Sequence, residues 1–238
     1  MKYIRYLVFF FLSCTAYATQ NLVIGTIPNA PPFEFLNEVN NLSGFDPDIM
    51  NALCNIMGRK CTFKLYSFHK LFAALDDGQI DLAIAAIMIT PEREKRFLFS
   101  LPYKFTIHQY VTLADSKLTA VAQLKGKIIG IYKSSPEEEL ISKQFKGKVK
   151  VKSYYHVNQM IDALKRKKVD AIMLEYHRAV YWLSNTPNFK LIGGTFTTGE
   201  GYGIAARKGR KQLIQDINNA ITHIENDGTY LKIYQLYF

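Results

Sequence analysis

The sequence predicts an α/β fold built as two units, on three observations. Short apolar runs of strand length alternate with segments that carry apolar residues at helical spacing. After an extended run over 106–113 the alternation begins again at Ile128-Ile129-Gly130-Ile131. A turn-rich segment, Thr197-Thr198-Gly199-Glu200-Gly201, then precedes a last strand and a helix whose apolar face needs a sheet to cover. The 238 residues, 48% hydrophobic and 21% charged, suffice for one large or two modest domains, and nothing in them suggests disorder or repeats.

The first residues stand apart from this pattern. Lys2 and Arg5 precede an apolar core from Leu7 to Leu12, and Ala16-Tyr17-Ala18 supplies a small-x-small cleavage site, so residues 1–18 are expected to be a secretory signal peptide. The core is much shorter than the roughly 20 residues of a spanning helix. A lipid anchor on Cys14 is the competing reading, against which Phe11 is a poor match three residues upstream.

Leu22-Val23-Ile24-Gly25 then reads as a strand, and 46–57 as a helix with Ile49, Leu53 and Ile56 on one face. A strand over 61–66 and a short helix over 71–75 follow. If Cys14 leaves with the signal, Cys54 and Cys61 remain as an even pair, which an oxidising compartment would let join. Gly58 between them can end the helix and turn the chain back. Two free buried thiols are the alternative, and no histidine has zinc-ligand spacing to the pair.

The apolar run Leu82 to Ile87, bounded by Gly78 and Pro91, reads as a buried strand ending at Thr90. Thr90 suits an N-cap, Pro91 the first helical position and Glu92 the helix dipole, so a helix is expected to start there. Arg93 falls in its first turn. A guanidinium beside free backbone N–H groups, at the carboxyl end of a strand, can grip a carboxylate through two parallel bonds. An ordinary surface pair with Glu92 or Glu94 is the plain alternative.

The second unit reads as strand 128–131, helix 136–145, strand 149–151, helix 157–164, strand 169–174 and helix 175–183. A strand over 202–206 and a helix with Leu213, Ile217, Ile221 and Ile224 on one face close the chain. If that end returns to the first unit, the chain crosses between units near Leu113 and near Thr198, and two crossings make a hinge. The net charge of +10 and pI near 9.4 raise nucleic acid as a partner, an idea that export makes ineffective. Lys165-Arg166-Lys167-Lys168 sits at a helix C-terminus, where cations complement the dipole.

An ordered set of short motifs carries a family resemblance. It runs through Ile24-Gly25-Thr26, Pro31-Pro32-Phe33, Gly44-Phe45-Asp46, Ile89-Thr90-Pro91-Glu92-Arg93, Phe99-Ser100-Leu101-Pro102-Tyr103, Leu124-Lys125-Gly126-Lys127, Asp170-Ala171, Tyr202-Gly203-Ile204-Ala205 and Asn226-Asp227-Gly228-Thr229. The chain resembles the periplasmic solute-binding proteins, family 3, that deliver polar or basic amino acids to ABC transporters. The resemblance implies a two-lobe, type II α/β fold, each lobe a mixed sheet flanked by helices and joined to the other by two hinge strands. Residues 19–111 and 198–238 would form lobe 1, and 112–197 lobe 2. It also implies a Cys54–Cys61 disulfide, no cofactor or metal, no catalysis and a monomer that works with a membrane permease in the periplasm.

Within the site, the resemblance assigns the ligand's α-carboxylate to Arg93, with Thr90 capping its helix and backbone N–H groups near Ala86, Met88 and Ser135 helping. Glu175 would meet the amine, and a zwitterion leaving water does need both charges met. Phe68 and Phe33 would wall the side chain. Ala30, Ile27 and Pro136 depart from common relatives, which leaves that side chain open, with arginine the leading choice. A dehydratase-like enzyme would need a further acid or base, and Tyr176, His177 and Arg178 supply no second carboxylate. A clamshell receptor that signals through a partner is the other alternative.

Overall fold

The computed structural model describes residues 21–133, 135, 137–197 and 199–238. The expected signal peptide, with Cys14 and Ala18, therefore lies outside the described residues, as do Pro136 and Thr198. In the first half of the chain β1 (Leu22–Thr26) leads into a small sheet of β2 (Asn29–Ala30), β3 (Glu34–Leu36) and β4 (Leu42–Ser43). Then come α1 (Phe45–Ile56), β5 (Cys61–Leu65), α2 (Phe68–Asp76), β6 (Leu82–Ala83), α3 (Pro91–Arg96) and β7 (Phe97–Phe99). The second series is β8 (Ile107–Leu113), a 3-10 turn at Val121–Leu124, β9 (Ile128–Tyr132), α4 (Glu137–Phe145), β10 (Lys150–Tyr154), α5 (Val157–Lys165), β11 (Ala171–Glu175), α6 (Tyr176–Asn185) and β12 (Phe189–Thr197). The chain ends with β13 (Ala205–Arg207), α7 (Lys211–Asn226) and α8 (Thr229–Tyr237).

Two five-stranded sheets share one plan. The first has the order β5-β1-β6-β13-β7 and the second β10-β9-β11-β8-β12. In each, a parallel trio is joined through crossover helices, because parallel neighbours cannot be linked by a tight hairpin. Two antiparallel strands complete each sheet. Apolar clusters cover both faces of both sheets, and Leu213, Ile217, Ile221 and Ile224 of α7 are buried against the first. Each such aliphatic side chain contributes about 1.5–3 kcal/mol by leaving water.

The chain crosses between the sheets twice, and the crossings are bonded to each other. Tyr103 N donates to Tyr202 O at 2.9 Å, and Tyr202 N to Lys104 O at 2.7 Å. Gly201 sits here with φ 124°, and a Cβ on it would lie 2.7 Å from Pro102 and 2.8 Å from the Lys104 carbonyl. The apolar run after Ala83 does not continue as a strand to Thr90. Ala86 turns the chain with φ 45°, and Ile89 N and Gly203 N then bond across to Gly201 O and Ile87 O, so the run supports the crossing instead.

β8 pairs on both sides within the second sheet, so a division drawn from the sheets falls between Phe99 and Ile107 rather than after residue 111. The nine-residue strand β12 was not legible in the sequence pattern. Cys54 and Cys61 are joined as a disulfide, with Cα atoms 6.2 Å apart, tying the end of α1 to the start of β5. Among the described residues no helix is long and apolar enough to cross a membrane.

Candidate functional site

The first sheet ends its parallel strands toward the second, and a small cavity lies between them. Ile27, Phe68, Ala86, Met88, Arg93 and Tyr202 line it from the first lobe; Tyr132, Ser135, Glu137 and Arg178 line it from the second. A larger opening shares Ile27, Phe68 and Tyr132 with the cavity and continues past Tyr66, Gln79 and His156. A third is lined by Thr90, Arg93, Ser135 and the exposed start of α4.

Arg93 is placed by its helix start. Thr90 caps α3, its Oγ1 accepting from Arg93 N at 3.3 Å, and Pro91 occupies the first turn. The guanidinium donates from Nη1 to Met88 O at 2.7 Å, and its Cζ lies 5.5 Å from the Phe68 ring and 5.2 Å from the Phe72 ring. Burial pushes its pKa down to about 10, against the attraction of Glu137 and Tyr202. Phe68 opens α2 and meets Tyr132 edge-on at 5.5 Å, an aromatic pair contributed by the two lobes.

Several expected groups have other tasks. Ala86 N donates to Asp46 Oδ2 at 2.6 Å, and Ser135 N is directed to Tyr132 O at 3.3 Å, so both N–H groups are engaged within the protein. Phe33 and Ala30 are core residues that do not line the cavity. Phe33 instead lies beneath two cations, with Arg178 Cζ at 4.9 Å and Lys104 Nζ at 5.8 Å from its ring.

Glu175, which the resemblance assigned to the ligand's amine, is buried and caps α6. Its Oε2 accepts from His177 N at 2.8 Å and Arg178 N at 3.1 Å. Its Oε1 lies 2.8 Å from His177 Nδ1 and 3.8 Å from Lys104 Nζ. Burial alone would raise its pKa; the His177 bond, the Lys104 and His177 charges and the Arg178 N–H outweigh it and hold the acid below its ordinary value.

Ala85, Glu137, Arg178, Tyr132 and Tyr202 are the cavity residues that sequence reasoning missed. Glu137 had a signal: an acid at a helix start just beyond the carboxyl end of a strand. Its Oε1 lies 3.3 Å from Nε2 of the buried His108, and the His108 and Ser135 bonds hold the acid below its ordinary value against burial. Arg178 reaches from α6 to Glu34 Oε1 of the first lobe at 3.4 Å. Glu34 is paired with Asp46, both fully buried, and Asp46 also accepts from Tyr103 Oη at 3.0 Å. Burial, and in Glu34 the adjacent Asp46 charge, raises both acids, Asp46 to about 6 and Glu34 well above its ordinary value. Gly44, at φ 132° and packed on the Phe33 backbone, starts α1 where Asp46 can reach this pair.

No group of three or more His, Cys, Asp or Glu side chains among the described residues is placed to hold a metal. The site offers opposite charges from two lobes, flat aromatic faces and two bonded crossing strands, an arrangement suited to enclosing a small charged molecule rather than to bond-making.

Residues 22–238 match the model of the bacterial extracellular solute-binding proteins, family 3. The chain is 34% identical over 228 residues to the ABC transporter arginine-binding protein 1 of Escherichia coli (strain K12), covering 94% of this chain and 93% of that one. It also resembles the crystal structure of an arginine 3rd transport system periplasmic binding protein from Legionella pneumophila, with TM-score 0.87 and 39% identity over 92% of this chain and 99% of that one. An ancestral arginine-binding protein, solved bound to glutamine, superposes with TM-score 0.85 and 36% identity, covering 92% of this chain and 97% of that one.

Proposed function

The chain belongs to the bacterial extracellular solute-binding proteins, family 3, which bind solutes and are not enzymes; from that premise we propose that it captures a free L-amino acid, arginine first, by closing two lobes around it. The observation that carries this reading is the cavity between the lobes, with Arg93 on one wall and the Phe68–Tyr132 pair beside it. Arg93 takes the α-carboxylate by a charge-assisted fork. A guanidinium side chain fits flat against aromatic faces and extends into the opening lined by Tyr66 and Gln79. Glutamine is the second ligand to weigh, since a similar protein was solved with it.

The protein works in the periplasm, as a monomer, and hands its ligand to the permease of an ABC importer. The names of its relatives support this setting. Ligand contacts on both lobes supply the differential affinity that hinge closure requires. Isothermal calorimetry on ligand-stripped protein against the L-amino acids is the test. L-arginine should bind with micromolar or tighter affinity, and Arg93→Ala should weaken it by about 100-fold or more with an unchanged circular dichroism spectrum. Failure of every amino acid to bind would sink the reading.

A further inference from the structure

We infer that the end of the second lobe opposite the cleft is a docking surface for an anionic phospholipid bilayer. The topology gathers the charge there. β9, β10 and β11 are parallel neighbours, so their carboxyl ends point together toward the cleft and their starts lie together at the far end, roughly 15 Å away. Cations stand at each start: Lys125 and Lys127 at β9, then Lys146, Lys148 and Lys150 at β10. The turn Lys165-Arg166-Lys167-Lys168 leads into β11. Backbone bonds hold the three starts side by side, from Gly126 N to Lys148 O at 2.6 Å, Lys150 N to Lys127 O at 2.9 Å and Asp170 N to Ile128 O at 2.8 Å.

The charge exceeds what the fold needs. α4 and α5 both end here, and a helix end presents only about half a negative charge. Against the nine cations stand Asp115, Asp162 and Asp170, of which Asp115 pairs with Lys167 at 3.2 Å and Asp170 with Lys127 at 3.9 Å. The remaining cations are exposed and make no ion pair among the described residues. Eight of the nine are lysines, compact hydrated charges on flexible stems, without the fork that selects one carboxylate or phosphate geometry. Phe145 and Phe189, which flank this end, are buried, so the surface is charge without the aromatic anchors of a protein interface or a base-stacking platform. Such a surface suits the diffuse potential of anionic headgroups, to which each nearby lysine adds attraction. Docked by this end, the protein keeps its cleft away from the lipid.

The test is sedimentation of the purified protein with vesicles of phosphatidylcholine and phosphatidylglycerol in 0.1 M salt, read as the excess over vesicles of phosphatidylcholine alone. Two triple variants equal in net charge are compared. One carries Lys148→Glu, Lys150→Glu and Lys168→Glu; the other carries Lys60→Glu, Lys211→Glu and Lys232→Glu, exposed positions of the first lobe. The first should weaken binding by about 100-fold or more, and the second by about 3-fold or less, because charges beyond about 10 Å of the lipid are screened. Equal losses in the two triples overturn the site in favour of overall charge. No excess binding by the wild type, with retention on immobilised poly-L-glutamate that only the first triple loses, overturns the lipid in favour of an acidic protein. A readout without variants covers a triple that does not fold: on anionic vesicles, amine acetylation followed by mass spectrometry should show Lys148, Lys150 and Lys168 protected and Lys60, Lys211 and Lys232 unprotected. The reverse pattern, or equal protection, overturns the assignment.

Discussion

The two lobes bury their acids by opposite means. In the first, Glu34 and Asp46 lie against each other in the core, and the only guanidinium that meets them among the described residues, Arg178, comes from the other lobe. Their pKa values are raised, so the pair tends to keep a proton. In the second, Glu137 and Glu175 each stand at a helix start beside a histidine, and both are held below their ordinary value despite burial. The lesson is that burial alone does not decide the charge of a carboxylate. The donors around it do: Ala86 N, Tyr103 Oη and Arg178 do not outweigh burial at Asp46 and Glu34, whereas the donors at Glu137 and Glu175 do, which makes the second lobe the anionic wall of the cleft.

The change that should break this contrast most severely is Glu175→Ala. It removes the cap of α6 and leaves Lys104, buried at 5% side-chain exposure, without its carboxylate. Breaking a buried pair on one side costs about 3–5 kcal/mol, to be read from urea unfolding at pH 7. A loss under about 1 kcal/mol would show that the second lobe does not depend on its ionised acids.

A second difference is covalent. The only cysteines after residue 14 are Cys54 and Cys61, both in the first lobe, so reduction tests the lobes separately. Closing so short a loop is worth about 2–3 kcal/mol, and Cys54→Ala with Cys61→Ala should lower stability by that amount. Hydrogen exchange should quicken in β1, β5 and α1 and stay unchanged in β9 and β11. Equal quickening in both lobes would mean that they unfold as one unit and that the contrast between them is not energetic.

Much of this architecture is legible in the sequence, for physical reasons that also mark where legibility stops. The helices α1 and α7 have the periodicity of elements with one buried face, and β1 and β9 are short apolar runs buried on both faces. β12 hides because, at the sheet edge, Gly193, Gly194 and Thr195 are exposed and leave no alternation to read. The run after Ala83 is as apolar as a strand, yet its backbone bonds to the crossing segment at Gly201 and Gly203, and periodicity cannot tell those partners apart. Arg93 was legible from its helix start. Arg178 was not, since its partner Glu34 lies 144 residues away on the other lobe.

The pH profile sharpens the contrast by its signs. Asp46 has a raised folded pKa, so its contribution is fully present below about 4 and is lost as pH rises through about 6. Glu137 and Glu175 have depressed values, so theirs is present above the unfolded carboxylate range and is lost as pH falls below it. Denaturation midpoints should therefore decline from pH 4 to 6 in the wild type, and Asp46→Asn should flatten that decline while leaving the loss at lower pH. A midpoint that rises across this window in the wild type would remove the raised acids from the account.

The smallest expected effect is the most discriminating. If Glu34 already holds a proton, Glu34→Gln replaces one neutral group by another of the same shape: the amide oxygen can accept from Arg178, and the amide N–H can be turned toward Asp46 as an acid's O–H would be. Stability at pH 7 should then stay within about 1 kcal/mol of wild type, because exchanging isosteric, satisfied partners is nearly neutral. The same substitution at Glu175 removes a charge that Lys104 and His177 both face, and should cost more. Two equal losses by urea unfolding would mean that Glu34 is ionised and that Arg178 holds it as a true ion pair. The first lobe would then be no different in kind from the second, and the anionic wall of the cleft would have to be shared between them.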